Sequence, residues 1–277
     1  MKVELKTWGQ LGVATALAGL TLAGCSGEAV EGGEGGENAV VGTAGETGEG
    51  EGGEGGEGTG GEGGVEVAAA GNDPVIYGAA LAVAEAHVIA ARDAYAAGKT
   101  EAGAEMFAHP VSEVLLEMEP VFAERGVEDF KSLFSDASGA ALNGADPSEI
   151  AGQADAIFAA LRAAEEKAPT SDASAGKIAG GVVADQIERA VAMYAQASES
   201  TNYGPYLDGY GFYKAAQSAF ERSADAVRAE DTTLAGSIET ALGLLSEAYP
   251  SVARPESLDA NQGALSGASA SVLLAAS

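Results

Sequence analysis

The sequence predicts an all-α fold, an antiparallel bundle of six to nine helices that follows a disordered Gly/Glu-rich tether. Three observations predict it. Apolar residues in the second part of the chain recur with the 3.6-residue period of a helix. Asp-Pro pairs and glycines mark helix starts and stops. No segment alternates apolar and polar residues convincingly, as a half-buried strand would.

Charge divides the 277-residue chain into three parts. The net charge of −28 splits into +1 for residues 1–25, −11 for residues 26–70 and −18 for residues 71–277. Residues 26–70 hold 18 Gly and 11 Glu and no Lys or Arg, which predicts a disordered spacer. Nucleic acid is not an expected partner, because binding it requires basic side chains that neutralise phosphates. No basic patch is evident in the sequence, and the acidic excess also fits saline surroundings.

The first 25 residues have the features of an export signal. Lys2 and Lys6 precede an apolar run, Leu11–Leu22, that is too short to span a bilayer. The sequence Leu22-Ala23-Gly24-Cys25 resembles the lipobox of bacterial lipoproteins. The resemblance implies cleavage before Cys25, acylation of its sulfur and amino group, and anchoring to a membrane. Ser26 at the next position favours the outer membrane in cells that have one.

This resemblance implies a chain of three parts. They are a signal peptide over residues 1–24, a lipidated cysteine with its linker over 25–71, and an all-α domain over 72–277. Within the part that is exported, Cys25 is the only cysteine, so no intramolecular disulfide is expected. We therefore expect a lipid-anchored protein of the bacterial cell envelope, with its domain facing the periplasm or the exterior.

Capping residues predict the helices of the domain in order. Asp73-Pro74 begins the first helix and Gly98 ends it. Thr100 begins a short helix to about residue 108, and His109-Pro110 begins another that Gly126 ends. Further helices are predicted over about residues 147–167, from Ser171 or Asp172 to 199, and over 205–229, 232–249 and 258–275. The short loops between them predict antiparallel neighbours.

The two histidines of the chain form the first candidate site. His87 lies 11 residues before Gly98 and His109 lies 11 residues after it, so a hairpin at Gly98 places both at one height on facing helices. Glu113 lies four residues beyond His109, on the same helical face. Helical bundles build metal sites from such histidines and carboxylates, and iron or copper is the expected ion. The alternatives are a helix-capping histidine before a proline and a histidine satisfied by one backbone carbonyl.

A tyrosine-rich segment forms the second candidate site. Tyrosines recur there with helical spacing: Tyr203, Tyr206, Tyr210 and Tyr213. Tyr206, Asp208 and Tyr210 are the second-choice ligand set, for a polar ligand or a hard cation such as ferric iron. The alternative is a core stripe that packs against the alanine-rich helices. Three glycines interrupt the segment, Gly204, Gly209 and Gly211, and each lowers helix propensity by about 1 kcal/mol. We expect them to allow a close approach of backbones.

Two segments of the domain, His87 to Phe130 and Tyr206 to Phe212, resemble exported helical domains that accompany bacterial iron uptake, including the imelysin-like group. The resemblance implies an all-helical exported domain associated with iron. The Gly-x-His-x-x-Glu motif of imelysin-like proteins is absent, because Glu85 stands in place of the glycine and Ala90 in place of the glutamate. The resemblance therefore assigns no iron ligand to a residue of this chain.

The motifs of common enzyme classes are missing from the sequence. It has no nucleophile elbow, no P-loop and no HExxH sequence, so an enzyme is not expected. The expected function is non-catalytic binding by a lipid-anchored envelope protein, with a metal ion as the ligand. The alternative is a protein-interaction or structural module, tethered to the envelope, whose acidic helical surface docks a partner protein.

Overall fold

The structure is a computed structural model that describes residues 65–277. The predicted signal peptide, Cys25 and all but the end of the linker lie outside the described residues. Over residues 65–277 the chain forms helices and no strand, so the all-α prediction is confirmed. The helices are α1 (Val67–Ala70), α2 (Pro74–Ala96), α3 (Thr100–Pro110), α4 (Leu116–Arg125), α5 (Lys131–Leu142), α6 (Pro147–Glu165), α7 (Ala175–Glu199), α8 (Gly204–Glu230), α9 (Thr232–Ala248) and α10 (Gln262–Ala276).

Helix α2 is the centre of the bundle. Every residue from Ala79 to Ala91 is buried, and the helix contacts α1, α3, α6, α7 and α8. Its most apolar window has a mean hydropathy of 1.6, and among the described helices it alone is long and apolar enough to cross a membrane. Because 83% of that window is buried inside the bundle, α2 has the character of a core helix that is apolar on all sides.

Helix α8 packs closely on α2 through glycine. A Cβ atom at Gly211 would lie 2.5 Å from the backbone oxygen of Ala86, so only a glycine fits there. A Cβ atom at Gly209 would collide with the Tyr249 hydroxyl. The expected close approach of backbones is confirmed at Gly211, whereas a Cβ atom at Gly209 would meet only side chains and one at Gly204 would meet only the Asn202 side chain. The contact at Gly211 brings the α8 backbone against α2 beside His87.

The predicted helix start at His109-Pro110 is wrong. The chain continues from α3 through a π-helical turn, Val111–Leu115, into α4 without a break. A proline has no N–H to donate to the helical ladder, and the wider turn that follows it lets the helix continue. Such turns are frequent at functional sites. Gly126 ends α4 in the left-handed conformation, with φ of 69°, as predicted.

Three other features differ from the predictions. Helix α5 was not predicted, because its buried face consists only of Phe134, Ala137 and Ala141 among small and polar residues. Ser174 caps α7 by accepting a hydrogen bond from the Lys177 backbone N–H, in place of Ser171 or Asp172. The packed region also begins before residue 72, since Val65 and Ala70 are buried in the core. The other predicted helices begin and end within four residues of the observed boundaries.

Candidate metal centre

The structure brings the three residues of the first candidate site together and adds a fourth. His87 projects from α2, His109 from the end of α3 and Glu113 from the π-helical turn. His87 Nε2 lies 3.3 Å from Glu113 Oε2 and 3.7 Å from Asp208 Oδ1, and Asp208 is on α8. His109 Nδ1 lies 3.6 Å from Glu113 Oε1. These four residues are called the histidine–carboxylate cluster below.

Donor atoms from three residues of the cluster lie close to one another. One ligand atom each from His87, His109 and Asp208 lies within 4.8 Å of the other two. Atoms bound to one ion at about 2.0–2.2 Å lie within about 4.4 Å of each other, so small side-chain rotations would close the set. Glu113 contacts both imidazoles, one with each carboxylate oxygen, but does not belong to this group of three. The converging set therefore offers two nitrogen ligands and one oxygen ligand, with Glu113 beside them.

A backbone hydrogen bond orients the His87 ring. Its Nδ1 lies 2.8 Å from the Val83 carbonyl oxygen, and because a carbonyl only accepts, Nδ1 carries the proton. In the neutral ring, the lone pair of Nε2 is then directed at the two carboxylates. Phe212 packs edge-on against the ring with centroids 5.7 Å apart. The carbonyl predicted as an alternative to a metal thus satisfies one nitrogen and leaves the other available, as in metal-binding histidines.

Asp208 supplies the least satisfied atom of the cluster. Its side chain is 23% exposed, but its Oδ1 is buried and has no hydrogen-bond partner among the described residues. A buried carboxylate oxygen without a partner is unfavourable, and such atoms are rare in native proteins. This oxygen faces His87 Nε2, where a cation between the two atoms would satisfy both of them.

The pKa shifts within the cluster follow from burial and charge. Burial lowers the pKa of His87, but the hydrogen bond to Glu113 and the charge of Asp208 outweigh it, so the pKa lies above the ordinary value. The hydrogen bond to His87 lowers the pKa of Glu113. Burial raises the pKa of Asp208, and the charges of the two histidines only partly offset it. A proton on His87 therefore occupies the place between two carboxylates that a metal cation would take.

The second-choice ligand set is not formed. The Tyr206 hydroxyl donates to the Ser251 carbonyl at 2.8 Å, and the Tyr210 hydroxyl donates to Asp93 at 2.7 Å. Neither tyrosine hydrogen-bonds to Asp208. Residues two apart on a helix point about 200° apart, so Asp208 faces away from both. The tyrosines pack as the predicted core stripe, and burial raises the pKa of Tyr206 to about 12.

Asp208 lies with the two histidines and not with the tyrosines of the predicted second-choice set. No spacing in the sequence relates it to the histidines, because it lies 121 positions after His87 and meets it through the packing of α8 on α2. The glycine at position 211 was the available signal, since it indicates a close helix contact one turn away. No protein-family model, curated protein or solved structure matches this chain.

Proposed function

We propose that this protein binds one transition-metal ion in the histidine–carboxylate cluster and does not catalyse a reaction. The observation that carries the proposal is the buried Oδ1 of Asp208, which has no hydrogen-bond partner among the described residues and lies 3.7 Å from His87 Nε2. Glu113 supports the same conclusion, because one of its carboxylate oxygens lies 3.3 Å from His87 Nε2 and the other lies 3.6 Å from His109 Nδ1. Two neutral imidazoles and two carboxylates together carry a charge of −2, which a divalent cation balances.

The donor set favours iron, with copper second. Imidazole and carboxylate ligands suit divalent iron and copper, whereas monovalent copper prefers sulfur ligands. Two histidines with a carboxylate are a common ligand set of non-haem iron. The geometry within α2, α3 and α8 keeps His87 deeply buried, with 4% of its surface exposed, while His109 is 38% exposed at its side chain. His109 therefore marks the side from which an ion enters.

We further propose that the domain works at the bacterial cell envelope, on a lipid anchor at Cys25. The support is the sequence Leu22-Ala23-Gly24-Cys25 with its preceding apolar run. The Gly/Glu-rich composition of residues 26–70 is that of a spacer, and about 45 residues of random coil would span about 35–40 Å and hold a domain away from the membrane surface. Replacing Cys25 with Ser should move the chain from the membrane fraction to the aqueous fraction. Unchanged membrane association would contradict the anchor alone.

Metal titration of the purified chain tests the binding proposal. The protein is stripped with a chelator and titrated with Fe(II) under anaerobic conditions, and separately with Cu(II) and Zn(II). We expect one bound equivalent by elemental analysis and a higher melting temperature, because an ion that binds only the folded state stabilises it. His87→Ala and Asp208→Ala should each weaken binding at least 100-fold, which is about 2.7 kcal/mol.

Asp93→Asn serves as the matched control. Asp93 is a partly buried carboxylate on α2 that accepts a hydrogen bond from Tyr210 and does not contact the cluster. Its substitution should leave metal stoichiometry unchanged. If the wild-type chain binds none of the three ions and its melting temperature does not change, the metal proposal is wrong. The protein-interaction or structural module is then the better account of the domain.

A further inference from the structure

Four basic residues line one cavity of the otherwise acidic domain. The cavity has a volume of about 370 Å³ and lies between α2, α6 and α8. Its basic residues are Arg92, Arg162, Lys214 and Arg222, one third of the twelve in residues 71–277. The acids that line it are Glu85 and Glu221, and two of the arginines also pair with acids just outside the lining, Arg92 with Asp93 and Arg162 with Glu165. The sequence did not indicate this group of basic residues, because they come from three different helices.

Buried Glu85 holds two of the arginines at the wall of this basic cavity. Its side chain is 6% exposed, and it forms ion pairs with Arg162 and with Arg222, the latter at 3.2 Å. Arg222 also donates to the Ser218 hydroxyl at 2.6 Å. These contacts fix both guanidinium groups in place before any ligand arrives. A preorganised site of this kind loses little side-chain freedom when it binds.

The third arginine of the cavity is fixed by a carboxylate and an aromatic ring. Arg92 pairs with Asp93 at 2.9 Å, and its guanidinium carbon lies 5.7 Å from the centroid of the Phe158 ring. Phe158 and the buried Ile89 form an apolar part of the same wall. The cavity thus combines fixed cations with a surface on which a short carbon skeleton can pack.

Lys214 is the cation of the cavity without an acidic partner. Its Nζ donates to the Gln217 side-chain oxygen at 2.6 Å and lies 5.2 Å from the centroid of the Tyr213 ring. Within residues 65–277, no carboxylate forms an ion pair with it. Ion pairs with Glu85, Glu165 and Asp93 therefore account for the three arginines but not for the charge of Lys214.

We propose that the basic cavity binds a small oxyanion, a compound that carries carboxylate or phosphate groups. Guanidinium groups pair with the two oxygens of such groups in a bidentate manner, and lysine adds a point charge. The volume lies within the range of small-molecule sites. Lys214, which forms no ion pair with a described carboxylate, supplies the charge for such a group, and the Phe158 and Ile89 surface favours a compound with a short carbon skeleton.

The basic cavity is separate from the histidine–carboxylate cluster. Glu85 and His87 are two residues apart on α2, so their side chains point about 200° apart around the helix axis. No residue that lines the cavity belongs to the cluster. The oxyanion proposal consequently does not depend on metal binding and can fail or succeed without it.

Calorimetric titration of the metal-free full chain with succinate, and separately with inorganic phosphate, tests this proposal. We expect saturable one-to-one binding that weakens with added salt. Lys214→Gln should weaken it about ten-fold, and Lys214→Arg, which keeps the charge, should retain most of it. Tighter binding of succinate identifies organic acids as the source of the oxyanion, and tighter binding of phosphate identifies phosphate compounds.

Two matched variants complete the test. Arg228→Gln removes a charge from α8 at a position that pairs with Glu239 outside the cavity, and His87→Ala disables the other site. Neither should change oxyanion binding. Absence of saturable binding of both compounds to the wild-type chain overturns the proposal. A folded Lys214→Gln variant that binds as tightly as the wild type also overturns it, since the bound compound would then lie outside the cavity that Lys214 lines.

Discussion

Two buried ionisable side chains on the central helix, Glu85 and His87, invite comparison. The two residues are only two positions apart, and each has 4% of its surface exposed, so they are buried to the same extent. Their partners differ. Glu85 faces Arg162 and Arg222, which keep their charge at any physiological pH. His87 faces two carboxylates, and its ring compensates their charge only when both of its nitrogens carry a proton.

The difference between the two environments lies in whether the compensating charge can leave. A guanidinium is covalently part of the chain, so the Glu85 pairs act whenever the protein is folded. A proton on His87 exchanges with solvent and can be replaced by a metal cation, provided that the ring is neutral. The unpartnered Oδ1 of Asp208 belongs to the second environment and has no counterpart in the first. Burial alone therefore does not distinguish a structural charge from a binding site, whereas the identity of the partner does.

The strongest expected effect tests the structural side of this comparison. Arg162→Met should destabilise the domain by about 2–4 kcal/mol, because it leaves buried Glu85 with Arg222 alone. The free energy of unfolding is measured by urea denaturation of the metal-free chain. Added metal should stabilise the variant as much as it stabilises the wild type, since the cluster lies on the other side of α2.

A second substitution in the same variant serves as its control. Glu85→Gln removes the stranded charge, so the double variant should recover part of the stability lost in Arg162→Met. If Arg162→Met differs from the wild type by less than about 0.5 kcal/mol, the pair behaves as a surface ion pair. Glu85 would then not be the structural half of the comparison.

The next largest expected effect concerns the close packing of α8 on α2. Gly211→Ala should destabilise the domain by about 2–3 kcal/mol, because the new Cβ atom would lie 2.5 Å from the Ala86 backbone oxygen. It should also weaken metal binding, since it pushes α8 and Asp208 away from His87. Thermal unfolding and metal titration measure the two effects.

Gly243→Ala in α9 is the matched control for this substitution. No heavy atom lies within 4 Å of the position that its Cβ atom would take, so the change should stabilise the helix by up to about 1 kcal/mol. Equal stabilities of the two variants would mean that the α2–α8 contact tolerates a methyl group, and the argument that Gly211 sets the position of Asp208 would be wrong.

Local signals in the sequence predicted much of the fold. Asp73 accepts hydrogen bonds from the first turn of α2, and Gly98 ends that helix region with a φ of 78°, as the capping residues indicated. Their positions also predicted the meeting of His87 and His109, whose ring centroids are 5.9 Å apart. A hairpin is a local structure, so symmetric spacing about its turn is informative.

Long-range packing accounts for what the sequence could not predict. The basic cavity joins Arg92, Arg162 and Arg222, which lie on three helices, with 70 and then 60 positions between successive arginines. Nothing in their local sequence relates them. The position of Asp208 likewise depends on which face of α8 meets α2. The π-helical turn was missed for another reason, since a proline usually marks a helix start and rarely the residue before a widened turn.

A smaller effect, of opposite sign, tests the environment of His87, in which the compensating charge can be exchanged. At pH 8, Asp208→Asn should stabilise the metal-free domain by about 1 kcal/mol, because it replaces a buried charge that lacks a hydrogen-bond partner. The same substitution should weaken metal binding at least ten-fold. Asp93→Asn, the control, should not stabilise the domain, since Asp93 accepts a hydrogen bond from Tyr210. A loss of stability in Asp208→Asn would mean that this carboxylate serves the fold rather than a ligand.

The smallest expected effect is the pH dependence of stability, and its sign should reverse when metal is bound. The folded-state pKa of His87 is raised, so its contribution to metal-free stability is present below pH 6.5 and is lost as the pH rises through the folded pKa. Glu113, whose pKa is lowered, stays charged throughout this range. A metal ion requires the neutral ring, so the stabilisation by metal should grow over the same range.

Melting temperatures from pH 5.5 to 8.5, with and without Zn(II), measure both trends, and His87→Gln should remove both. The net effect is small because burial of the ring opposes the two carboxylates. Parallel pH profiles with and without the ion would show that metal does not displace the proton of His87, and the analogy between proton and metal in this cluster would not hold.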